Sequence, residues 1–321
     1  MAASKLTRTV LVLIAAASGP VACKPGVGPP AYLVTDYALL AVFGEPAEAK
    51  PGASVTYSFL LASPNGTVID ARAEWDICQT PKPPAESNAV ASACTGAPDA
   101  GAAVEGQTFT AALPTKACQL FGPIAPPPVA GQPPVRPRDP DGTGGYYLPV
   151  QVYLPALPTI ALSGFALERI TCNLANAPSS AIADYNNRYQ PNRDPIIDHA
   201  DLVDAVGDRQ SLEGGTPSVP AGATVTVEAS LGAGSEETFP VFDPVSQALL
   251  DQQESLSLSW FVTAGTFEHD RTGLAAGDTA TTTSNRWTAP AQAPATIYLW
   301  LVLRDSRGGT ALKSYSIDVT P

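Results

Sequence analysis

The sequence is poor in the residues from which most catalytic sites are built. It contains two histidines, one methionine and five cysteines in 321 residues. Neither His199 nor His269 lies in an H-E-x-x-H motif, and the chain contains no G-x-S-x-G sequence and no P-loop. The absence of these three motifs argues, in turn, against a zinc protease, an α/β-hydrolase and a nucleotide-binding enzyme. No catalytic residue can be named from the sequence.

Basic residues are scarce as well, and long apolar runs are missing after the N-terminus. The chain has 18 Lys and Arg against 30 Asp and Glu, for a formal net charge of -12. A negative surface repels nucleic acid and anionic lipid head groups, so we expect no nucleic-acid partner. The best later candidate for a membrane span, Ala295 to Leu303, is much shorter than the roughly 20 residues needed to cross a bilayer as a helix.

The N-terminus has the layout of a secretory signal. Two basic residues precede the apolar run from Val10 to Ala17, and Val21-Ala22 stands directly before Cys23. These last residues resemble a bacterial lipobox, although Pro20 occupies the position where that pattern prefers leucine. The lipobox predicts that the Cys23 thiol is lipidated. The alternative is ordinary cleavage after Ala22 with Cys23 left as an incidental thiol.

The cysteine count is consistent with lipidation of Cys23, because it leaves an even number for an oxidising compartment. The four others are Cys78, Cys94, Cys118 and Cys172. Four cysteines allow three connectivities, and the sequence alone does not choose among them. We favour Cys78 with Cys94, because this pair would close a loop with little apolar content of its own. We favour Cys118 with Cys172, because this pair would tie the start of the proline-rich insertion to the last strand of the domain.

Most of the chain shows the two-residue period of β-strands. Val55 to Leu61 and Leu256 to Val262 alternate apolar with polar residues, and 33 prolines and 26 glycines interrupt any longer helix. A short helix is expected from Ser180, as its N-cap, to Tyr189. The predicted fold class is all-β, with two tandem antiparallel sandwich domains. The expected organisation is a signal peptide at 1–22, a lipidated tether at 23–30, a disulfide-bonded sandwich at 31–178 with a proline-rich insertion at 121–145, a linker at 179–194 and a second sandwich at 195–321.

Two segments of the second sandwich carry a family resemblance. Trp260-Phe261-Val262-Thr263-Ala264-Gly265 and Leu303-Arg304-Asp305-Ser306-Arg307-Gly308-Gly309 resemble the Ig-like and PKD-like modules of bacterial envelope proteins. The Trp-Asp-Phe-Gly-Asp-Gly type of signature of PKD repeats is absent, so an Ig-like domain is expected. Together with Cys23, the chain resembles surface lipoproteins of high-GC Gram-negative bacteria. That resemblance implies an extracytoplasmic protein held by its lipid at the outer membrane.

Two acidic segments are candidate calcium sites. Asp139 and Asp141 alternate with other residues in a glycine-rich loop, and Asp194, Asp198 and Asp201 cluster near the domain junction. The alternative for the loop is an ordinary turn, and for the junction a solvated acidic surface. No other cofactor is expected.

The sequence therefore favours a non-enzymatic binding or structural module of the cell envelope, anchored through Cys23, with an unidentified protein or glycan ligand. The alternative is an extracytoplasmic hydrolase or carbohydrate-active enzyme whose site lies on the loops of the first domain. Tyr146 and Tyr147 beside these loops would either stack on a sugar or begin the next strand.

Overall fold

The computed structural model of the protein describes residues 28–83, 86–87, 89–96, 107–123, 130, 142–158, 160–293 and 295–321, together with the backbone of 103–104. Residues 31–321 form one compact unit. The predicted signal peptide, Cys23, Asp139 and Asp141 lie outside the described residues, as does most of the proline-rich insertion. Among the described residues, no helix is both long enough and apolar enough to cross a membrane.

In the part of the chain that the structure describes, the first sandwich has nine strands in two sheets. In chain order they are β1 (Ala38–Glu45), β2 (Glu48–Ala49), β3 (Ser54–Ser63), β4 (Gly66–Thr67), β5 (Ala73–Ile77), β6 (Ala103–Val104), β7 (Thr108–Ala112), β8 (Gly145–Leu154) and β9 (Leu162–Thr171). One sheet contains β1, β3, β4 and β7, and the other has the order β2-β9-β8-β5-β6. A 3₁₀ turn, Ser92–Cys94, and the short helix α1, Ala117–Leu120, lie in the connections.

Helix α2, Ser179–Arg188, leads into the second sandwich. The strands that follow are β10 (Ile197–Val203), β11 (Arg209–Ser211), β12 (Ser218–Pro220), β13 (Thr224–Leu231), β14 (Thr238–Asp243), β15 (Ala248–Gln253), β16 (Leu256–Val262), β17 (Thr266–Phe267), β18 (Arg271–Leu274), β19 (Thr282–Thr288), β20 (Ala295–Asp305) and β21 (Thr310–Thr320). Two five-stranded sheets have the orders β11-β10-β13-β19-β17 and β12-β21-β20-β16-β18, while β14 and β15 form a separate hairpin.

The two sandwiches share one topology. In each, the first long strand pairs antiparallel with the second long strand, and a short strand between them crosses to the other sheet to pair in parallel with the last strand. The last two long strands pair antiparallel, and the earlier of them also pairs with the tryptophan-bearing strand. This is the immunoglobulin-like arrangement, so the predicted all-β fold of two Ig-like sandwiches is confirmed.

Each sandwich is organised around a tryptophan on an equivalent strand. Trp75 on β5 and Trp260 on β16 are both fully buried. Trp75 packs against Phe59, and Trp260 packs against Phe267. A large ring in the middle of the sandwich covers both inner faces and excludes water, which is the main contribution to the stability of such a domain.

The sequence predicted most of the long strands but missed β19 and most of the short ones. Strands β2, β12 and β17 have two or three residues, too few to show a period, and the hairpin of β14 and β15 also went unnoticed. Helix α2 lies where it was expected, but its N-cap is Pro178 and no side chain caps it. Ser180 is not the N-cap because it lies inside the first turn.

A segment ahead of the first strand belongs to the core of the second sandwich. Tyr32 is buried among the side chains of that core and meets the ring of Phe267 edge-on, with 5.8 Å between centroids. Its carbonyl accepts the amide of Val262, whose own carbonyl accepts the amide of Val34. Residues that precede the first sandwich in the chain therefore pack in the second sandwich. The sequence analysis had assigned all of 31–178 to the first sandwich.

An apolar contact joins the two sandwiches directly. Ala41 and Leu60 of the first sandwich share a buried cluster with Trp300 and Val302 of the second. The indole Nε1 of Trp300 donates to Thr67 Oγ1 at 2.8 Å. Because the outer faces of both sheets are covered here, the two sandwiches lie side by side.

The cysteines pair within the first sandwich. Cys78 is bonded to Cys94, and Cys118 on α1 is bonded to Cys172 just after β9, with Cα separations of 5.6 and 5.5 Å. These are the two pairs that the sequence analysis favoured. Each ties a long connection back to a strand end, where little apolar surface would otherwise hold it.

We expect removal of either disulfide to destabilise the first sandwich. On the chain-entropy account, loops closed over 54 and 16 residues contribute about 4 and about 3 kcal/mol. The double variant Cys118→Ala/Cys172→Ala should therefore lose more stability in urea than Cys78→Ala/Cys94→Ala. Hydrogen exchange should rise first in the first sandwich. If the amides of the first sandwich exchange equally slowly in both variants and in the native protein, this account is contradicted.

Candidate functional site

The best-defined polar site in the described residues lies where the two sandwiches and their linker meet. It is formed by β2 and β9 of the first sandwich, the linker after α2, and the turn between β20 and β21 of the second. We call it the junction network. Its members are Glu48, Arg169, Tyr189, Asn192, Glu237, Glu254, Asp305 and Arg307.

Glu48 lies at the centre of the first half of the network. Its side chain is fully buried, and its Oε2 accepts from Tyr189 Oη at 2.6 Å and from the backbone amide of Asn192 at 2.9 Å. Its Oε1 accepts from Thr171 Oγ1 at 2.7 Å. Strand β2 pairs with β9 in the register that places Glu48 opposite Arg169, so the parallel pairing itself brings the two charges together.

Arg169 donates to partners on three sides. Its Nε lies 3.2 Å from Glu48 Oε2, its Nη1 donates to Tyr147 Oη at 3.0 Å, and its Nη2 donates to Thr143 Oγ1 at 3.0 Å. A Cβ at Gly145 would lie 2.1 Å from the guanidinium carbon, so only glycine leaves room for this side chain. Carboxylate and hydroxyl oxygens thus accept hydrogen bonds from all three nitrogens of the buried Arg169 guanidinium.

Arg307 is the matching cation of the second half. Its Nε donates to Glu254 Oε1 at 2.5 Å and its Nη2 donates to Glu237 Oε2 at 2.7 Å, while only 2% of its side chain is exposed. Its Nη1 donates to the carbonyl of Gln190 in the linker at 3.2 Å. The guanidinium also stacks over the ring of Phe239, 4.5 Å from its centroid.

The turn that presents Arg307 is itself held by a carboxylate. Asp305 Oδ1 accepts the backbone amides of Arg307, Gly308 and Gly309 at 2.7 to 3.0 Å. Both of its oxygens also accept from Asn192 Nδ2 at 3.2 Å. Because Asp305 Oδ1 already accepts three backbone amides, the amide of Asn192 turns its nitrogen toward this carboxyl group and its oxygen away.

The linker is therefore not the solvated segment that its composition indicated. Tyr185 and Tyr189 are buried and stack with their centroids 4.7 Å apart, and they pack with Phe239 and Phe242 of the β14 strand. Tyr185 Oη donates to the carbonyl of Thr143 at 2.9 Å. Helix α2 thus fills the space between the first sandwich and the β14–β15 hairpin.

A cleft of about 570 Å³ opens on the second half of the network. Its walls include Glu48 and Arg307 from the network, Asn192 and Arg193 from the linker, and Glu236 from the turn before β14. Its wall carries both carboxylates and guanidinium groups. Charged groups of both signs at one cleft can bind a polar or charged ligand.

A second buried carboxyl lies inside the first sandwich. Glu168 on β9 points into the core beside Tyr57, and its Oε1 has no hydrogen-bond partner. Burial raises the pKa of Glu168 to about 8, with further contributions from Asp194 and Glu48. At neutral pH the Glu168 side chain is therefore mostly an uncharged acid. A Cβ at Gly44 would come within 2.4 Å of its Oε2, so the backbone packs directly on the carboxyl group.

The described members of the expected calcium cluster have protein partners. Asp194 Oδ1 accepts the amide of Thr310 at 2.7 Å, and Asp201 accepts from Arg209 at 2.9 Å, while Asp198 is exposed. No group of three or more potential metal ligands occurs in the part of the chain that the structure describes. Calcium binding at these aspartates stays a prediction.

The sequence does not reveal the junction network, although two of its members lie in the segment from Leu303 to Gly309. Arg307 belongs to the Leu303 to Gly309 motif, but nothing local distinguishes it from an exposed turn residue. Tyr147 lies in β8 and donates to the carbonyl of Arg307 at 3.2 Å, and Tyr146 is a core residue. Both tyrosines lie at the start of β8, as the other interpretation of the sequence predicts, with Tyr146 buried and Tyr147 half-buried under the Arg169 guanidinium.

The chain was compared with known proteins. No protein-family model matches it, and no curated protein matches its sequence. Among solved structures it is similar to the D0-D1 domain of Intimin (10% identity, 88% of this chain and 99% of the other, TM-score 0.24) and to the tandem Ig repeats of Dlar (10%, 89% and 99%, 0.24). The fibronectin(III)-like modules of Clostridium thermocellum CbhA match at 8% identity, over 88% and 94%, with a TM-score of 0.21. The likeness concerns the class of fold alone.

We expect the substitution Arg307→Met to destabilise the protein strongly. It leaves Glu254 and Glu237 without their buried cation, and breaking such a pair from one side typically costs about 3 to 5 kcal/mol. Arg193→Met is the matched control, because Arg193 also pairs with Glu237 but 77% of its side chain is exposed. Its loss should stay below about 1 kcal/mol in urea denaturation. Equal losses in the two variants would show that burial of Arg307 does not matter.

We also expect the protein to lose stability as the pH rises from about 4.5 to about 8. The unfolded Glu168 loses its proton near 4.5, but the folded side chain keeps it until about 8. The folded state therefore binds more protons throughout this window, and stability falls by about 1.4 kcal/mol for each pH unit from this group. Glu168→Gln should remove that slope and be more stable than the native protein at pH 8. Glu268→Gln, at an exposed position, should leave the slope unchanged.

Proposed function

We propose that the chain is an exported lipoprotein whose two sandwiches act as one rigid, non-enzymatic binding or structural module of the cell envelope. The observation that carries the module is the junction network. Arg169 and Arg307 are each buried, and each donates both to its own sandwich and to the linker. A change in domain orientation would leave these charges unpaired away from water, which is costly.

The apolar contact supports the same proposal. Domains of one chain usually move relative to each other unless their interface is large and hydrophobic. Here Trp300 and Val302 are buried against the first sandwich, and Tyr32 is buried in the second although it precedes the first. Three separate contacts therefore oppose rotation about the linker. A rigid pair of sandwiches suits a spacer or a presenting surface better than a flexible tandem repeat does.

The lipid anchor rests on the sequence. The apolar run before Val21-Ala22-Cys23 and the odd number of cysteines both favour lipidation of Cys23. The four cysteines of the first sandwich are paired with one another, which agrees with an oxidising compartment outside the cytoplasm. The outer membrane is the proposed location, and the residues 23–30 would act as the tether.

The enzyme alternative has no specific observation in its favour. Its proposed site is the set of loops on the first sandwich, and much of that segment lies outside the described residues. Of the groups near His199, Asp201 already pairs with Arg209 and Asp198 is exposed. We therefore retain the non-enzymatic module as the proposed function.

Membrane fractionation of cells that express the full chain tests the anchor. The native protein should sediment with the membranes and enter the detergent phase, whereas Cys23→Ala should be released or retained as a precursor. Each acyl chain adds about 0.8 kcal/mol of membrane affinity per buried CH₂, so loss of the lipid should shift the distribution almost completely.

The double variant Cys78→Ala/Cys94→Ala is the control that removes cysteines without changing the anchor, and it should remain with the membranes although its first sandwich is less stable. A Cys23→Ala protein that partitions like the native chain would overturn the lipoprotein proposal. That result would not affect the conclusion that the junction network holds the two sandwiches rigidly.

A further inference from the structure

Two residues that line the cleft at the junction each carry a buried side-chain oxygen that the protein itself does not satisfy. Asn192 is 2% exposed, lines the cleft, and its Oδ1 has no partner. Glu236 lines the same cleft, and its Oε1 also has no partner. Buried acceptors without donors are rare in native proteins, and each requires an explanation.

The orientation of the Asn192 amide cannot be reversed to remove the problem. Its Nδ2 donates to both oxygens of Asp305, so a flipped amide would point its oxygen at a carboxylate. The Oδ1 therefore stays an acceptor. The acceptors of Glu48 beside it are already used by Arg169, Tyr189 and the Asn192 amide. Asn192 Oδ1 and Glu236 Oε1 are therefore the acceptors that lack a donor.

The charges of the cleft point to a donor that carries positive charge. Arg307 is shared between Glu254 and Glu237, and Glu237 also receives Arg193. Glu236 is left with no cation, only the neutral amide of Gln253 at 2.9 Å. A carboxylate bonds most strongly to a charged donor, so a cation would be preferred over a neutral hydroxyl.

A metal ion fits these groups less well than an ammonium group does. Calcium takes six to eight oxygen ligands, usually with several carboxylates, and no cluster of three potential ligand side chains occurs among the described residues. An ammonium group has three donors and is satisfied by two or three acceptors. The cleft, at about 570 Å³, has room for a small organic molecule or a side chain.

We propose that this cleft binds a primary ammonium group, with Glu236 and Asn192 as its acceptors. The group could be supplied by a free amine or by the lysine side chain of a polypeptide, since both present the same donors on a flexible apolar stem. The inference goes beyond the proposed function, which requires a rigid anchored module but no ligand chemistry. Its location between the sandwiches agrees with the general preference of ligand sites for domain interfaces.

Calorimetric titration of the full chain tests the inference. The probes are 1,5-diaminopentane for a free amine and Nα-acetyl-lysine methylamide for a lysine side chain, with 1-pentanol as the neutral control. At least one amine should bind, and 1-pentanol should not. Binding of the lysine derivative would assign the source to a polypeptide, and binding of the diamine alone would assign it to a free amine.

Two variants locate the binding. Glu236→Gln keeps the shape of the side chain but removes its charge, and it should weaken amine binding about tenfold or more. Glu268→Gln removes the same charge at an exposed position outside the cleft and should bind as the native protein does. Asn192→Ala should also weaken binding, with its fold checked by circular dichroism.

The inference is overturned if neither amine binds, if 1-pentanol binds equally well, or if the two glutamate variants behave alike. Binding of calcium chloride alone, in place of the amines, would also overturn it. None of these results would alter the membrane fractionation of Cys23→Ala, so failure of the ligand proposal can be told apart from failure of the proposed function.

Discussion

The architecture depends on two arginines that are buried between the sandwiches. A guanidinium group away from water is tolerated only when its donors meet acceptors with good geometry. Arg169 and Arg307 achieve this with carboxylates from distant parts of the chain, Glu48 in one case and Glu254 in the other. Both arginines also contact the hydroxyl of Tyr189 in the linker, at 3.3 and 3.4 Å. The linker conformation and the domain orientation are thereby joined in one network.

The immunoglobulin-like topology provides the positions that this network needs. The crossing of the chain from β1 to β2 brings Glu48 into parallel register with Arg169 at the end of the sandwich. The turn between β20 and β21 brings Arg307 to the facing end of its neighbour, where Asp305 fixes the turn through backbone amides. Ends of sandwiches are normally occupied by variable loops, and in this protein they take part in the contact between the domains together with the sheet faces that carry Ala41 and Trp300.

Polar groups that the fold leaves unsatisfied lie close to the same surface. Glu168 is buried as an uncharged acid on the strand that also carries Arg169, and Asn192 and Glu236 line the cleft beside Arg307. Proteins generally retain such locally unfavourable choices at functional sites, where binding or switching compensates for them. The combination of a rigid frame with a few unsatisfied acceptors is what would be expected of a surface that recognises a donor-rich ligand.

The sequence by itself determined the strand period and the all-β class, because both depend on residues close together in the chain. The composition of the loop after β5 and the position of the last strand of the first sandwich were also enough to favour the pairs Cys78–Cys94 and Cys118–Cys172. The sequence could not show that Tyr32 belongs to the second core, or that Arg307 would be buried while Arg193 stays exposed. These features depend on which surfaces meet after both sandwiches have formed. Burial and pairing of a charge are properties of that contact, and no short pattern around the residue encodes them.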